Sequence, residues 1–359
     1  MHSDTYLAFM AKAPKTIPHF QAWSNPDAET YITGINYYEH PRLCRQRMFE
    51  LYPELELEIP ASDAPKLAPQ GLTQTNADGS EVVRWGDQYS APWDWGKKFQ
   101  TAEECLAFSP LEHADFRGFP IPEAFDYRTV DGLYAMFREN YPKEWGDTVP
   151  DGVVSHIQFY NTMFMWPMLV FGWDLFLEIC LMPEFDRLME EFAELSRRTF
   201  QAIARLPVNV VAFHDDIVGT RGLFCSPAWM RKHIYPRYEE FFDIIHKAGK
   251  RVTFTSDGRV DEVADEVFAL GADGIHTEPY TDFKSIAQKY PQSVLIGEGD
   301  NRVLMRNNPD EITAMVRSMA QTAQMCDGYI LCVGNHIPWN VPGEAAKHYL
   351  DACREYVHR

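Results

Sequence analysis

The chain has 359 residues, 45% of them apolar, and a net charge of −19. That composition supports a sizeable core, and the acid excess argues against nucleic acid or an anionic membrane surface as a partner. No stretch approaches the roughly 20 apolar residues of a membrane helix, residues 1–15 carry no secretory-leader pattern, and seven dispersed cysteines form no C-x-x-C pair. Together these lead to the expectation of a cytoplasmic protein with reduced thiols.

Along the chain, residues 1–60 read as helical, with apolar positions at helical spacing over 27–38 and 42–51, separated by His40-Pro41. Residues 59–80 are rich in Pro, Ala, Gly and Asn and read as an extended loop. Residues 1–80 are therefore expected to form an N-terminal helical and loop extension, and 81–359 the main domain. Glu81-Val-Val-Arg-Trp85 alternates as a strand does. It leads into Gly86-Asp-Gln-Tyr-Ser-Ala-Pro-Trp-Asp-Trp-Gly96, where Trp93 is a candidate wall for a flat ligand. Short helices are expected over 101–108 and 130–140, with an irregular stretch over 109–127. Residues 153–159 alternate as a strand. The run from Phe159 to Asp174 holds more aromatic and Met side chains than one helix face can bury. Tyr160, Met165 and Trp166 are thus candidates for lining an aromatic pocket, and core packing is the alternative.

Residues 183–206 form a long amphipathic helix with Phe185, Leu188, Phe192, Leu195 and Phe200 near one face. Val208 to Phe213 is a strand that ends on His214-Asp215-Asp216. Ser226-Pro227 opens a helix expected to run to Ala248, with Ser226 as N-cap. From residue 251 strands and helices alternate regularly. Strands are expected over 251–256, 273–277, 293–296 and 328–332, and helices over 260–270, 281–289, 309–324 and 343–357. Strands joined by single helices imply a parallel sheet. Each late strand delivers polar residues at its C-terminal end: Asp257, then Glu278 and Tyr280, then Glu298, then His336. Functional groups at nearly every strand end favour a closed barrel over an open sheet. The fold class expected is therefore α/β, a (β/α)8 TIM barrel, with residues 81–85 a candidate seventh strand.

Tyr329-Ile-Leu-Cys-Val-Gly-Asn-His-Ile-Pro-Trp-Asn-Val-Pro342 resembles the closing motif of the uroporphyrinogen decarboxylase superfamily. Asp215-Asp216, the helix from Ser226-Pro227, residues 250–258 and Gly271-Ala-Asp-Gly274 resemble it as well. The superfamily comprises cofactor-independent porphyrinogen decarboxylases and methyltransferases that work with a corrinoid on a separate protein. The decarboxylases' Arg-Gln-Ala-Gly-Arg-Tyr motif is reduced here to Arg45-Gln46-Arg47. Thiol-activating methyltransferases carry His-x-Cys where this chain has Thr255-Ser-Asp257, so a thiolate zinc site is not implied. The chain, including its opening Phe20-Gln-Ala-Trp-Ser-Asn-Pro, is similar to the veratrole and guaiacol O-demethylase methyltransferases.

That resemblance implies an enzyme that demethylates a small aromatic methyl ether and passes the methyl group to cobalamin bound by a partner corrinoid protein. The chain has no Asp-x-His-x-x-Gly corrinoid-binding segment of its own. Asp257, Glu278, Glu298 and His336 are the expected catalytic residues. Some three of them are expected to hold zinc; a carboxylate network with one protonated member is the alternative. His214, Asp216 and Tyr280 are expected to orient substrate. A decarboxylase and a non-catalytic aromatic-ligand binder are the competing functions, and a homodimer is left open.

Overall fold

The structure, a computed structural model, describes residues 3–56, 58–76, 81–90, 99–112, 125–160 and 162–356. Eight strands matter below: β1 (Gln21–Ser24), β2 (His156–Phe159), β3 (Val210–His214), β4 (Arg251–Ser256), β5 (Gly274–Thr277), β6 (Val294–Gly299), β7 (Gly328–Val333) and β8 (Ile337–Pro338). The chain divides into two compact units. One is Met1–Phe9 with Asp94–His276, the other Met10–Trp93 with Thr277–Arg359. The boundary expected near residue 80 falls inside the second unit.

In the first unit the sheet runs in the order β5–β4–β3–β2. Strands β2 and β4 flank β3 in parallel, pairing Gln158 with Ala212 and Thr255 with His214. Alternation then sorts the side chains. Phe159, Phe213 and Phe254 share one face, whereas Gln158, Ala212, His214 and Thr255 share the other. The phenylalanine face is covered by the helix Phe185–Ala204, whose expected apolar stripe is buried. Phe200 of that helix stacks on Phe213 at 5.1 Å and on Phe241 of the helix Tyr235–Lys247 at 5.1 Å.

Ser226 caps its helix as expected, accepting from the Trp229 N–H at 3.3 Å. The helix does not continue to Ala248. It stops at His233, and a second helix, Tyr235–Lys247, begins beyond Ile234. Pro236 is the cause: it has no N–H to give to the preceding turn and its ring crowds that turn's carbonyl.

In the second unit β6 and β7 pair in parallel over six residues, from Val294↔Gly328 to Gly299↔Val333. β1 pairs in parallel with β8, and His19 bridges to Leu331 of β7. The all-helical reading of residues 1–60 is therefore corrected. The helices Pro26–Thr33 and Pro41–Leu51 are present, but residues 21–24 are a strand. Four residues are too few to show a period, and this strand is held by distant partners. Gln21 Oε1 accepts from Val333 N at 2.9 Å and its Nε2 donates to Asn335 O at 3.1 Å.

Residues 81–85 are not a parallel barrel strand. They are the middle of a three-stranded antiparallel sheet with Thr73–Thr75 and Gln88–Ser90, so the 59–80 loop also holds a strand. Gly86, at φ +62°, begins the two-residue turn to Gln88 and commits the segment to a hairpin. Among the described residues no helix is long and apolar enough to cross a membrane.

One buried group of the second unit makes stability depend on pH. His19 is enclosed against the Tyr349 ring, 5.5 Å away, and burial, with Arg354 adding to it against the pull of Glu54, lowers its pKa from 6.5 to about 4. The folded protein keeps the imidazole neutral while the unfolded chain protonates it. Stability is therefore lost as pH falls from 6.5 towards 4, by about 3 kcal/mol in all. Glu29 works in the opposite sense. Burial outweighs Arg45 and pushes its carboxyl up to about 7, so lowering the pH from 7 towards 4.5 favours the fold. The expected result is read as a difference. Chemical denaturation of the parent and His19→Leu at pH 7 and pH 4.5 should show the variant gaining relative to the parent by about 2 kcal/mol or more on acidification. Parallel profiles for the two proteins would contradict the assignment.

Candidate functional site

The polar face of the first unit's sheet converges where β3 and β4 end. His214 is the last residue of β3, and Asp216 follows two residues on. Thr255 stands beside His214 in register, and Asp257 follows Thr255 by two. Asp216 is the hub. Its Oδ1 accepts from His214 Nε2 at 3.0 Å and from the Asp257 backbone N–H at 2.7 Å. Its Oδ2 accepts from the Tyr160 hydroxyl at 2.8 Å. His214 Nδ1 lies 2.5 Å from Gln158 Nε2, and the Tyr160 ring meets the imidazole edge-on at 4.2 Å. His214 and Asp216 are buried and Asp257 half-buried.

The electrostatics follow from these bonds. Burial alone would raise the Asp216 carboxyl, but its hydrogen bonds and charge attraction to His214, with those from Asp257 N–H and Tyr160, hold it below the usual carboxylate range. Burial and the Asp216 charge push the Tyr160 hydroxyl upward, so that phenol stays protonated and donates.

Asp215 points the other way. It is fully buried and accepts backbone N–H groups of Met163, Phe164 and Met165, the closest at 2.7 Å, plus the Tyr238 hydroxyl at 2.7 Å. Burial pushes it up to about 6 against those donors. It anchors the start of the helix Met165–Phe171 below the site. A second feature lies on the segment that follows Asp216. Phe224, 43% exposed, stacks on Phe164 at 5.9 Å and meets Trp173 edge-on at 5.0 Å. The Phe224 N–H is bonded to Ile217 O, which ties the backbone of Phe224 to the residue after Asp216.

The structure thus brings together four of the expected residues, Asp257, His214, Asp216 and Tyr160. Met165 and Trp166 are 1% exposed. Met165 gives its N–H to Asp215, and Trp166 packs on Phe192 of the long helix at 5.6 Å, so both are core. Trp93 lies outside the described residues.

The remaining expected residues belong to the second unit. Glu298 sits at φ +75° between two glycines. A Cβ on Gly297 would lie 2.2 Å from Thr277 O, and Gly297 itself is at φ +125°, so only glycine fits there. The Glu298 carboxylate accepts from Tyr329 OH at 2.6 Å and from Thr322 Oγ1 at 3.0 Å, and burial raises its pKa against those two bonds. His336 shares a hydrogen bond with Ser24 Oγ at 3.1 Å and meets Trp85 edge-on. Arg302 lies over the Tyr280 ring at 4.5 Å, and Gly334 packs against the backbone of Glu278.

Sequence reasoning passed over Gln158 and Phe224, and marked Thr255 only as a residue standing where relatives carry histidine, without giving it a role. Gln158 and Thr255 were within reach, because alternation places Gln158 with Tyr160, and Thr255 with Asp257. The donor atoms of His214, Asp216 and Asp257 all lie within 4.8 Å of one another. One imidazole and two carboxylates, with no thiolate among them, fit a hard or borderline divalent cation.

Residues 181–356 match the family model described as "Uroporphyrinogen decarboxylase (URO-D)". That match covers just under half of the chain, and residues 181–356 are a URO-D family domain. No curated protein sequence matches it. Among solved structures, the chain is similar to a "methyltransferase from Methanosarcina mazei", with a TM-score of 0.58 and 15% identity over 99% of each chain. That likeness establishes the fold, the (β/α) barrel expected from strand–helix alternation. A "Xylose isomerase-like TIM barrel Protein from Mycobacterium smegmatis in Complex with Magnesium" is more distant: TM-score 0.32 and 11% identity, over 72% of this chain and 100% of that one. His214, Asp216, Thr255 and Asp257 fall inside the URO-D match, whereas Gln158 and Tyr160 precede it.

Proposed function

We propose that this chain is a methyltransferase that demethylates a small aromatic methyl ether of the guaiacol or veratrole kind, passing the methyl group to the cobalamin of a separate corrinoid protein. One observation carries the reading: an acidic His214–Asp216–Asp257–Tyr160 cluster at the strand ends, with the exposed Phe224 on the segment that follows Asp216 and is bonded back to Ile217. The fold shared with a Methanosarcina mazei methyltransferase supports it.

An aryl methyl ether resists attack because its oxygen must leave as a phenolate. The methyl–oxygen bond breaks with its electron pair on oxygen, while the reduced corrinoid of the partner supplies the accepting nucleophile. This chain's task is to hold the ring and to stabilise that oxygen. Phe224 and Trp173 offer the ring a flat apolar surface. Gln158 and Tyr160 hold His214 and Asp216 in fixed orientation, so the polar groups are pre-aimed. A divalent cation bound by His214, Asp216 and Asp257 would add Lewis-acid charge at the departing oxygen. Zinc is the first candidate, and proton donation from the same cluster is the metal-free route.

The test is an assay of the purified chain with guaiacol or veratrole and a reduced corrinoid protein. The expected result is growth of the methylcobalamin spectrum together with the free phenol. Absence of any spectral change across a panel of methyl donors would sink the proposal. The URO-D match itself favours a second reading, decarboxylation without cofactor. It predicts carbon dioxide release by the isolated protein. The strand ends are acidic where a polycarboxylate substrate calls for cations, and so methyl transfer is preferred.

A further inference from the structure

We infer that the exposed row of Leu177 and Leu181, continued by Trp173, is the surface on which the corrinoid protein docks, and that this partner meets it with apolar side chains set inside a rim of Lys and Arg. The partner's identity rests on the proposed function, whereas its chemistry comes from the surface itself.

Among the described residues of the first unit, the large apolar side chains left exposed are Leu177 (46%), Leu181 (82%) and Phe224. Single apolar residues scattered over a surface need no explanation, but these three are joined. Trp173, Leu177 and Leu181 recur every fourth residue, along one side of the helix Trp173–Ile179. Cys180 keeps helical backbone angles, φ −65° and ψ −10°, which carries the row past the helix end to Leu181. Trp173 meets Phe224 edge-on at 5.0 Å and links the row to it. The helix lies in the connection that leaves β2, and Phe224 in the connection that leaves β3. A partner seated on the row therefore sits on segments that grow from the strand ends carrying the His214–Asp216 cluster.

Charge selects the partner. Residues 173–186 hold four acids, Asp174, Glu178, Glu184 and Asp186, and no Lys or Arg. Asp186 is bonded to Lys232 at 2.8 Å. Asp174, Glu178 and Glu184 are exposed and form no ion pair among the described residues. Asp174 and Glu178 each follow a member of the row by one position and so flank it. A second copy of this chain, at a net charge of −19, would set acid against acid. A basic rim on a different protein neutralises the three carboxylates and steers its approach.

The row is also held rigidly. Phe176 beneath it is 0% exposed and meets Phe164 edge-on at 5.2 Å and Phe185 at 5.8 Å. Trp229 Nε1 donates to Cys180 O at 3.0 Å and pins the helix end. Leu177 and Leu181 are thus presented with little left to order on docking.

The experiment titrates the cobalamin-loaded corrinoid protein of the assay above into the full chain by calorimetry, without aryl ether, and repeats the turnover assay on the same proteins. Parental affinity should fall as salt rises. The double variant Leu177→Ala, Leu181→Ala should weaken binding and raise the KM for the corrinoid protein by about 10-fold or more, with the KM for the aryl ether unchanged. The double variant Glu178→Lys, Glu184→Lys should weaken binding and flatten its salt dependence. All four side chains are exposed, so both variants should keep the parental circular dichroism. Parental affinity in both variants, or no binding by the parent, would overturn the surface; methyl transfer by the parent then leaves the functional proposal standing. Binding that the variants lose, without methyl transfer by the parent, overturns the functional proposal alone. A dimer of the chain by itself that the leucine variant breaks would give the surface to a second copy and overturn the corrinoid protein as its occupant.

Discussion

Replacing Asp215 by Ala is expected to destabilise the protein by about 3–5 kcal/mol, the largest single effect foreseen for a polar residue here. The carboxylate is fully buried and accepts three consecutive backbone N–H groups at residues 163–165 and the Tyr238 hydroxyl. Removing it leaves those donors facing apolar neighbours. Phe164 and Tyr238 are 0% exposed, so water cannot replace the lost bonds without opening the core. Asp215→Asn should cost nearly as much, since half of its amide presents a donor to donors. Equilibrium denaturation read by circular dichroism gives the measurement. A loss under 1 kcal/mol for the Ala variant would mean that the helix Met165–Phe171 is anchored otherwise. The same variant should also loosen the aromatic platform, because Phe164 supports Phe224.

The second large effect is on chemistry. Asp257→Asn is isosteric and half-buried, and it preserves the backbone N–H that Asp216 accepts. Its fold should therefore survive with a change below about 1 kcal/mol. In the reconstituted methyl-transfer assay its turnover is expected to fall about 10²–10⁴-fold. On the proposed reading, in which Phe224 and Trp173 rather than the carboxylate hold the ring, the KM for the aryl ether should change little. His214→Gln should behave alike. If both variants keep parental turnover, the reacting centre lies elsewhere, and Glu298 or His336 of the second unit become the residues to change next.

How far the site was legible depended on the kind of signal. Ser226-Pro227 announced a helix start, and the structure has one there. Pro236 carried an equally local message, a break, which the reading of one continuous helix passed over. Residues 81–85 show the limit of alternation. It identifies a strand without naming its neighbour, and the turn at Gly86-Asp87 sent this one into a hairpin. Gln21–Ser24 shows the opposite case, a strand too short to have a period and held by Val333 and Asn335, more than 300 residues away.

By itself the sequence determined the alternation of strands and helices, the barrel class, and the polar residues that end each strand. These depend on burial periods within a few residues, which the chain states locally. Only the tertiary structure decided which strand ends meet. Pairing Thr255 with His214 places Asp257 beside Asp216, and a shift of one residue in that register would turn the whole polar face of β4 towards the phenylalanines. At Glu298, one of the four expected catalytic residues, the sign of one backbone angle accompanies a carboxylate bonded to Tyr329 and Thr322. Lateral register and backbone sign are set by packing between distant segments, and no local pattern encodes them.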